Sequence, residues 1–155
     1  MKIKRIFFLV TLIFTLSIGS FAETINFRAS DQNSVIHNFS DYHGKYVILV
    51  FWANWCPPCR TELPHIEKLY KKYGENKKDI VFLGINEGGK KEVKGFIDKR
   101  NLTFPTLIDE NRELPVNAYP TLVVLNKNGE VLTSVVGAIP EETLVQFIDK
   151  NLLNK

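Results

Sequence analysis

The apolar run Tyr46-Val47-Ile48-Leu49-Val50-Phe51-Trp52 is followed, three residues later, by Cys56-Pro57-Pro58-Cys59. No charge interrupts the run, as in a strand buried on both faces. Beyond the cysteines, Glu62, Leu63, Ile66, Leu69, Tyr70 and Tyr73 fit one stripe of a helix. Gly74 is placed to end that helix, and Pro64 is expected to kink it. The two cysteines therefore stand where a buried strand gives way to a helix. A cysteine at a helix N-terminus meets unpaired N–H groups and the positive end of the dipole, which stabilise its thiolate. Cys59, one turn in, is within reach of a mixed disulfide on Cys56. The expected chemistry uses an exposed nucleophile and a shielded resolving thiol. Pro57 suits the first helical position, where an N–H would go unpaired anyway.

The rest of the chain alternates in the same way. Ile25–Phe27 and Val35–His37 read as short edge strands, and Ile80–Ile85 as a second buried strand. Between Lys90 and Arg100, Val93, Phe96 and Ile97 recur at helical spacing. Thr121–Leu125 and Val131–Val136 flank Lys127-Asn128-Gly129, where Asn-Gly marks a tight hairpin. A last helix is expected from Pro140 through Leu144, Phe147, Ile148 and Leu152, with Glu141 and Glu142 suited to its N-terminus. The order β-α-β-α-β-β-α predicts an α/β fold with a central sheet. No internal repeat or interdomain linker is present, and 155 residues hold one domain of ordinary size.

The N-terminus reads differently. Lys2, Lys4 and Arg5 precede an apolar run from Ile6 to Ile18, followed by Gly19-Ser20-Phe21-Ala22. This is the pattern of an export signal, residues 1–22, cleaved after Ala22, leaving a domain of residues 23–155. The alternative is an uncleaved N-terminal membrane anchor, for which the uncharged run, about 26 Å as a helix, is marginal. No cysteine follows the run, which excludes a bacterial lipoprotein. Without residues 1–22 the basic and acidic side chains balance at 17 each. That balance argues against nucleic-acid binding, whose footprint is a basic excess. The expected location is the periplasm or another extracytoplasmic space, where neighbouring cysteines can form a disulfide.

A C-x-x-C also serves as half of a zinc site, but the other half is missing. His37, His43 and His65 are scattered and lack the paired spacing of zinc ligands. Arg60 rather than His follows Cys59, so covalent haem attachment is out. A purely structural disulfide would close a loop too short to constrain the chain much. No metal or organic cofactor is expected; the dithiol itself carries the electrons.

The string Phe51-Trp52-Ala53-Asn54-Trp55-Cys56-Pro57-Pro58-Cys59-Arg60, with Glu62 and Pro64, resembles the thioredoxin superfamily. Within it the match is to TlpA/ResA-like exported thiol–disulfide oxidoreductases. Asp41-Tyr42-His43-Gly44-Lys45 is similar to the segment before the active-site strand, and Asn86–Asp109 to the central insertion. Val116-Asn117-Ala118-Tyr119-Pro120-Thr121 resembles the stretch around a cis-proline. The resemblance implies a thioredoxin-like fold: a central mixed sheet flanked by helices. It implies Cys56 as nucleophile, Cys59 as resolving thiol and Pro120 as the cis-proline facing them. Trp55, Pro57, Tyr119 and Pro120 are then the candidates for contact with substrate, the Tyr119 backbone pairing with an extended client segment.

One departure bears on mechanism. Cytoplasmic thioredoxins carry a buried Asp where this chain has Val50, and a partner Lys where it has Leu83. The proton acceptor for Cys59 must come from elsewhere, and the resemblance points to Glu87, just after the second buried strand. The implied activity is reduction of protein disulfides, with apocytochrome c among the candidate clients. A membrane thiol reductase of the DsbD/CcdA type would donate electrons to a monomer. The rivals are a disulfide oxidase or isomerase, and a copper- or zinc-handling binding protein. A peroxidase fits less well, because the Thr-x-x-Cys pattern that resembles peroxiredoxins is absent.

Overall fold

The computed structural model describes residues 25–114 and 116–154. The predicted export signal, residues 1–22, lies outside them. Two short strands, β1 (Arg28–Ser30) and β2 (Ile36–Asn38), pair as an antiparallel hairpin. The main sheet follows: β3 (Tyr46–Phe51), β4 (Ile80–Asn86), β5 (Thr106–Ile108), β6 (Thr121–Leu125) and β7 (Val131–Val136). Its order is β5-β4-β3-β6-β7. Strands β3, β4 and β5 run parallel, while β6 and β7 are antiparallel to their neighbours. Helices α1 (Pro57–Lys72) and α2 (Lys90–Lys99) make the two parallel crossovers, and α3 (Glu141–Phe147) closes the chain. This is an α/β sheet of the thioredoxin-like kind expected.

Both crossovers step the same way across the sheet, so right-handed connection puts α1 and α2 on one face. Side chains alternate along β3. Ile48 and Val50 join the core under the three helices, with Leu63, Ile66, Val93, Ile97 and Leu144. Val47, Leu49 and Phe51 face the opposite core, which Phe27, Phe39 and Leu107 complete. The sheet is therefore covered by helices on one side and by the N-terminal hairpin and loops on the other. Among the described residues, no helix is long and apolar enough to cross a membrane.

Several local expectations shift. The first strand lies three residues later than Ile25–Phe27, with Phe27 just before it and packed in the core. Its carbonyl accepts from Phe39 N at 3.1 Å, and the two rings meet edge to face at 5.8 Å. Strand β5 was not anticipated; three residues after Pro105 carry no readable period. Helix α1 continues past Pro64, which stands in its interior, to Lys72. It stops where expected, at Gly74 with φ +94°. There Glu75 N donates to Tyr70 O and Gly74 N to Lys71 O, the paired bonds of a Schellman end.

The β6–β7 turn is longer than a two-residue Asn-Gly turn. Gly129 N donates to Asn126 O, and only Gly129, at φ +80°, is left-handed there. That is a type I turn closed by a left-handed glycine. The last helix changes pitch, α-helical to Phe147 and π-helical over Ile148–Leu153, with Ile148 and Leu152 still buried.

Candidate active site

The end of β3 builds the site. Trp52 N donates to Ile85 O at 3.0 Å, extending the β3–β4 ladder by one residue. The chain then turns, with Cys56 N donating to Ala53 O at 3.1 Å, and Cys56 becomes the N-cap of α1. Pro57 and Pro58 fill the first two helical positions and have no N–H. The first amide of the helix is therefore that of Cys59, and it donates to Cys56 Sγ at 3.2 Å. Cys56 and Cys59 are joined by a disulfide, with Cα atoms 5.3 Å apart.

An exposed attacking cysteine was expected. In this oxidised form Cys56 is 2% exposed and Cys59 0%, both counted in the core beneath the helices. Trp55, just before them, is 67% exposed and packs its ring edge to face on Tyr119 at 5.8 Å. Pro57 is exposed at the head of α1.

The register Phe51↔Thr121 sets Pro120 beside the chain leaving β3. Pro120 is buried, and the Tyr119–Pro120 bond is cis. Thr121 Oγ1 donates to Ala118 O at 2.7 Å and Gly137 N to Pro120 O at 2.8 Å, which fixes this stretch from both sides.

Glu87 follows β4 and pairs with Arg112, Nε to Oε2 at 2.9 Å. Burial, then the hydrogen bond and charge of Glu87, push the Tyr119 phenol up to about 12. Trp55, Tyr119, Glu87 and Arg112 thus follow one another in contact, and Trp55, Glu87 and Arg112 line a groove of about 390 Å³. The groove reaches Ala53 and Asn54 in the loop before the cysteines. The structure brings the predicted site residues to one end of the sheet, the end where β3 finishes and β6 begins.

Two residues of the site were missed. Glu62 sits three residues beyond Cys59 on α1 and is 2% exposed. Its Oε1 accepts from Ile139 N at 2.9 Å. Burial pushes its carboxyl up, against the lowering effects of the Ile139 N–H and of His65. A glutamate on an otherwise apolar helical stripe was the available signal. Asn54 is a hub: its carbonyl accepts from Arg60 Nε and Nη2, its Oδ1 from Asn86 Nδ2, and its Nδ2 donates to Glu92 Oε1. Nothing in the pattern of the sequence marked it. Among the described residues, no group of three or more His, Cys, Asp or Glu is placed to hold a metal ion.

The profile of the AhpC/TSA family matches residues 21–134. The chain is 33% identical over 132 residues to thiol-disulfide oxidoreductase ResA of Halalkalibacterium halodurans, an alignment covering 82% of this chain and 74% of that one. It is 38% identical over 119 residues to the thioredoxin-like protein YneN of Bacillus subtilis, covering 72% and 68%. Its fold is similar to the crystal structure of StoA from Bacillus subtilis, with a TM-score of 0.70 and 28% identity over 81% of this chain and 98% of that one.

Proposed function

The chain belongs to the AhpC/TSA family and is a thiol–disulfide oxidoreductase; from this we propose that it works outside the cytoplasm as a reductant of protein disulfides. Cys56 thiolate attacks a client disulfide, forming a Cys56–client bond while the other client sulfur leaves as a thiolate and takes up a proton. Cys59 loses its proton, attacks Cys56 Sγ and expels the second client sulfur, which leaves as a thiolate and takes up the second proton. The client gains two electrons and two protons, and the protein is left with the Cys56–Cys59 disulfide. A membrane thiol reductase of the DsbD/CcdA type then restores the dithiol, and apocytochrome c is one client of fitting chemistry. Ala53 stands where the Thr of a Thr-x-x-Cys pattern would be, which favours disulfide over peroxide as substrate.

The observation that carries the direction is the helix start. Thiolates at helix N-termini owe their low pKa to the dipole and to N–H donors. Here Pro57 and Pro58 leave Cys59 N as the donor to Cys56 Sγ. A less stabilised thiolate means a less stabilised reduced state, hence a stronger reductant. The Cys56 pKa is expected below the free-thiol value of about 8.5, though less so than in a strong oxidant. Equilibration with thiol buffers should give a potential near the roughly −270 mV of thioredoxin; one near about −120 mV would make the protein an oxidase. Pro58→Ala, which restores an amide, should lower the Cys56 pKa and move the potential toward oxidising. In cells, loss of the membrane thiol reductase should leave the protein oxidised, and Cys59→Ser should trap its clients.

For the proton on Cys59 we assign Glu62 as acceptor and Glu87 as the residue that holds Tyr119 against the client strand. Residues three apart on a helix are neighbours, with Cβ atoms about 5–6 Å apart. Burial also raises the Glu62 pKa above the ordinary carboxylate range, the direction that makes it a better proton acceptor. Glu87, the residue the family resemblance points to, is already ion-paired with Arg112. Stopped-flow release of a client from its Cys56 adduct separates the two: slow release in Glu87→Gln alone would return the proton to Glu87.

A further inference from the structure

Trp55 divides two depressions of opposite charge. On one side lies the groove already described, with Glu87, Glu92, Glu110 and Arg112 on its walls. Each carboxylate there has a partner within the protein. Glu87 pairs with Arg112, Glu92 accepts from Asn54 Nδ2 at 3.0 Å, and Glu110 accepts from Lys90 N at 3.3 Å. On the other side is an open trough of about 480 Å³ between the head of α1 and the outer face of α2. Trp55, Arg60, Glu92, Phe96, Lys99 and Arg100 line it.

The cations of this trough outnumber its one carboxylate, Glu92, by three to one. Among the described residues, Arg60, Lys99 and Arg100 enter none of the ion pairs. Arg60 spends two N–H groups on Asn54 O and keeps three of its five donors. The Arg100 guanidinium lies over the Phe96 ring, 3.6 Å from its centroid, with its Nη1 at 3.5 Å from Phe96 O. The nearest other carboxylate in sequence, Asp98, is taken by Lys94 at 3.0 Å. Three positive charges against the single carboxylate of Glu92 thus surround an exposed tryptophan whose chain neighbour is Cys56. Trp and Arg are the residue types that most often carry binding energy at protein interfaces.

We propose that this trough is a docking surface for an acidic segment of the partner protein, one flanking the cysteine that exchanges with Cys56. The proposal rests on the thiol–disulfide reading and adds a charge requirement for its client. An acidic segment in the trough finds cations that enter no ion pair, whereas on the opposite side Arg112 already neutralises Glu87, and Glu92 and Glu110 accept from Asn54 Nδ2 and the backbone N–H of Lys90. The trough would act chiefly on the rate of encounter, since complementary charge steers association and is screened by salt.

The test uses the reduced protein and three synthetic peptides, each with one cysteine capped as a mixed disulfide with 2-mercaptoethanol. The cysteine is flanked by glutamates, lysines or serines. Stopped-flow exchange rates are divided by those of dithiothreitol with the same peptide, which removes differences in intrinsic disulfide reactivity. The glutamate peptide should be favoured over the lysine peptide by about tenfold at ~20 mM salt, the preference fading toward one near ~0.5 M. Reversing the trough charge with Lys99→Glu and Arg100→Glu together should invert the preference. Equal rates at low salt, a faster lysine peptide, or a preference untouched by charge reversal would each overturn the proposal. A wild-type protein that fails to exchange with any peptide, the serine one included, would instead overturn the thiol–disulfide reading.

Discussion

Glu62 shows how one residue can work against the fold and for the chemistry. A carboxylate 2% exposed resists ionising, so its folded pKa lies above its unfolded one. The folded state then holds the proton over a pH range where the unfolded chain has lost it. Stability must fall as pH rises from the unfolded value through the raised folded one. Glu62→Gln removes that cost and keeps the acceptor for Ile139 N. Thermal melts should find the variant at least as stable as wild type at neutral pH, with a flatter profile just above pH 4.5. Client release from the Cys56 adduct should meanwhile slow by about 10²-fold or more, the usual weight of a positioned base. A variant that loses stability at neutral pH and releases its client at the normal rate would make Glu62 a structural residue only.

At the scale of elements, Glu67 ties α1 to the loop that leads into β5. Its carboxylate accepts from Thr103 N at 2.7 Å, Thr103 Oγ1 at 2.6 Å and Phe104 N at 3.2 Å, and pairs with Lys71 at 3.0 Å. Burial alone would raise its pKa, but the Thr103, Lys71 and Phe104 donors outweigh it and leave the group lowered. The sign is opposite to that of Glu62. This contribution is present above the unfolded pKa and lost as pH falls through the lowered folded one. Glu67→Gln should cost about 1–3 kcal/mol at neutral pH and soften acid unfolding, read by denaturant titration at pH 7 and pH 4. The neighbouring strands leave no room either: a Cβ on Gly84 would meet Thr106 Oγ1, Phe104 and Trp52 Nε1. Gly84→Ala should therefore destabilise by overpacking, by about 1–3 kcal/mol in the same titration.

These tertiary ties explain what could be read from the chain and what could not. The β3–Cys56–α1 unit was legible because a long apolar run, two prolines and a helical stripe agree over nearly thirty residues. Strand β5 was not, since its pairing is decided by Gly84↔Thr106 and by Gln32, whose Oε1 accepts from Thr106 N. Those contacts span more than seventy residues for Gln32 and leave no local period. The cysteines and the cis-proline stretch were legible as motifs, whereas the one sign of Glu62, a carboxylate on an apolar stripe, becomes informative only once Ile139 N is seen to bond it. Asn54 acts through partners brought together from α1, β4 and α2.

The whole molecule has two ends, and the chain enters at the one far from its sulfurs. Ile25 N donates to Gly129 O in the β6–β7 turn, where the neighbouring Lys127 O also receives Gly44 N just before β3 begins. Cys56 lies beyond the other end of β3, six residues along. At about 3.3 Å per residue the strand alone separates the two by roughly 20 Å. If the N-terminal apolar run stays in the membrane, the reactive sulfurs lie at the end of the domain remote from Ile25, the described residue nearest that run in sequence, like a lamp on a short post. Soluble clients would then meet Cys56 freely, while an electron donor embedded in the membrane could reach it only by projecting outward or by the post leaning over. A flexible Gly/Ser insert just before Ile25 should in that case speed reduction by the membrane donor several-fold and leave client reduction unchanged. A released protein would be indifferent to the insert, so measuring its redox state in cells tells a tethered enzyme from a freely diffusing one.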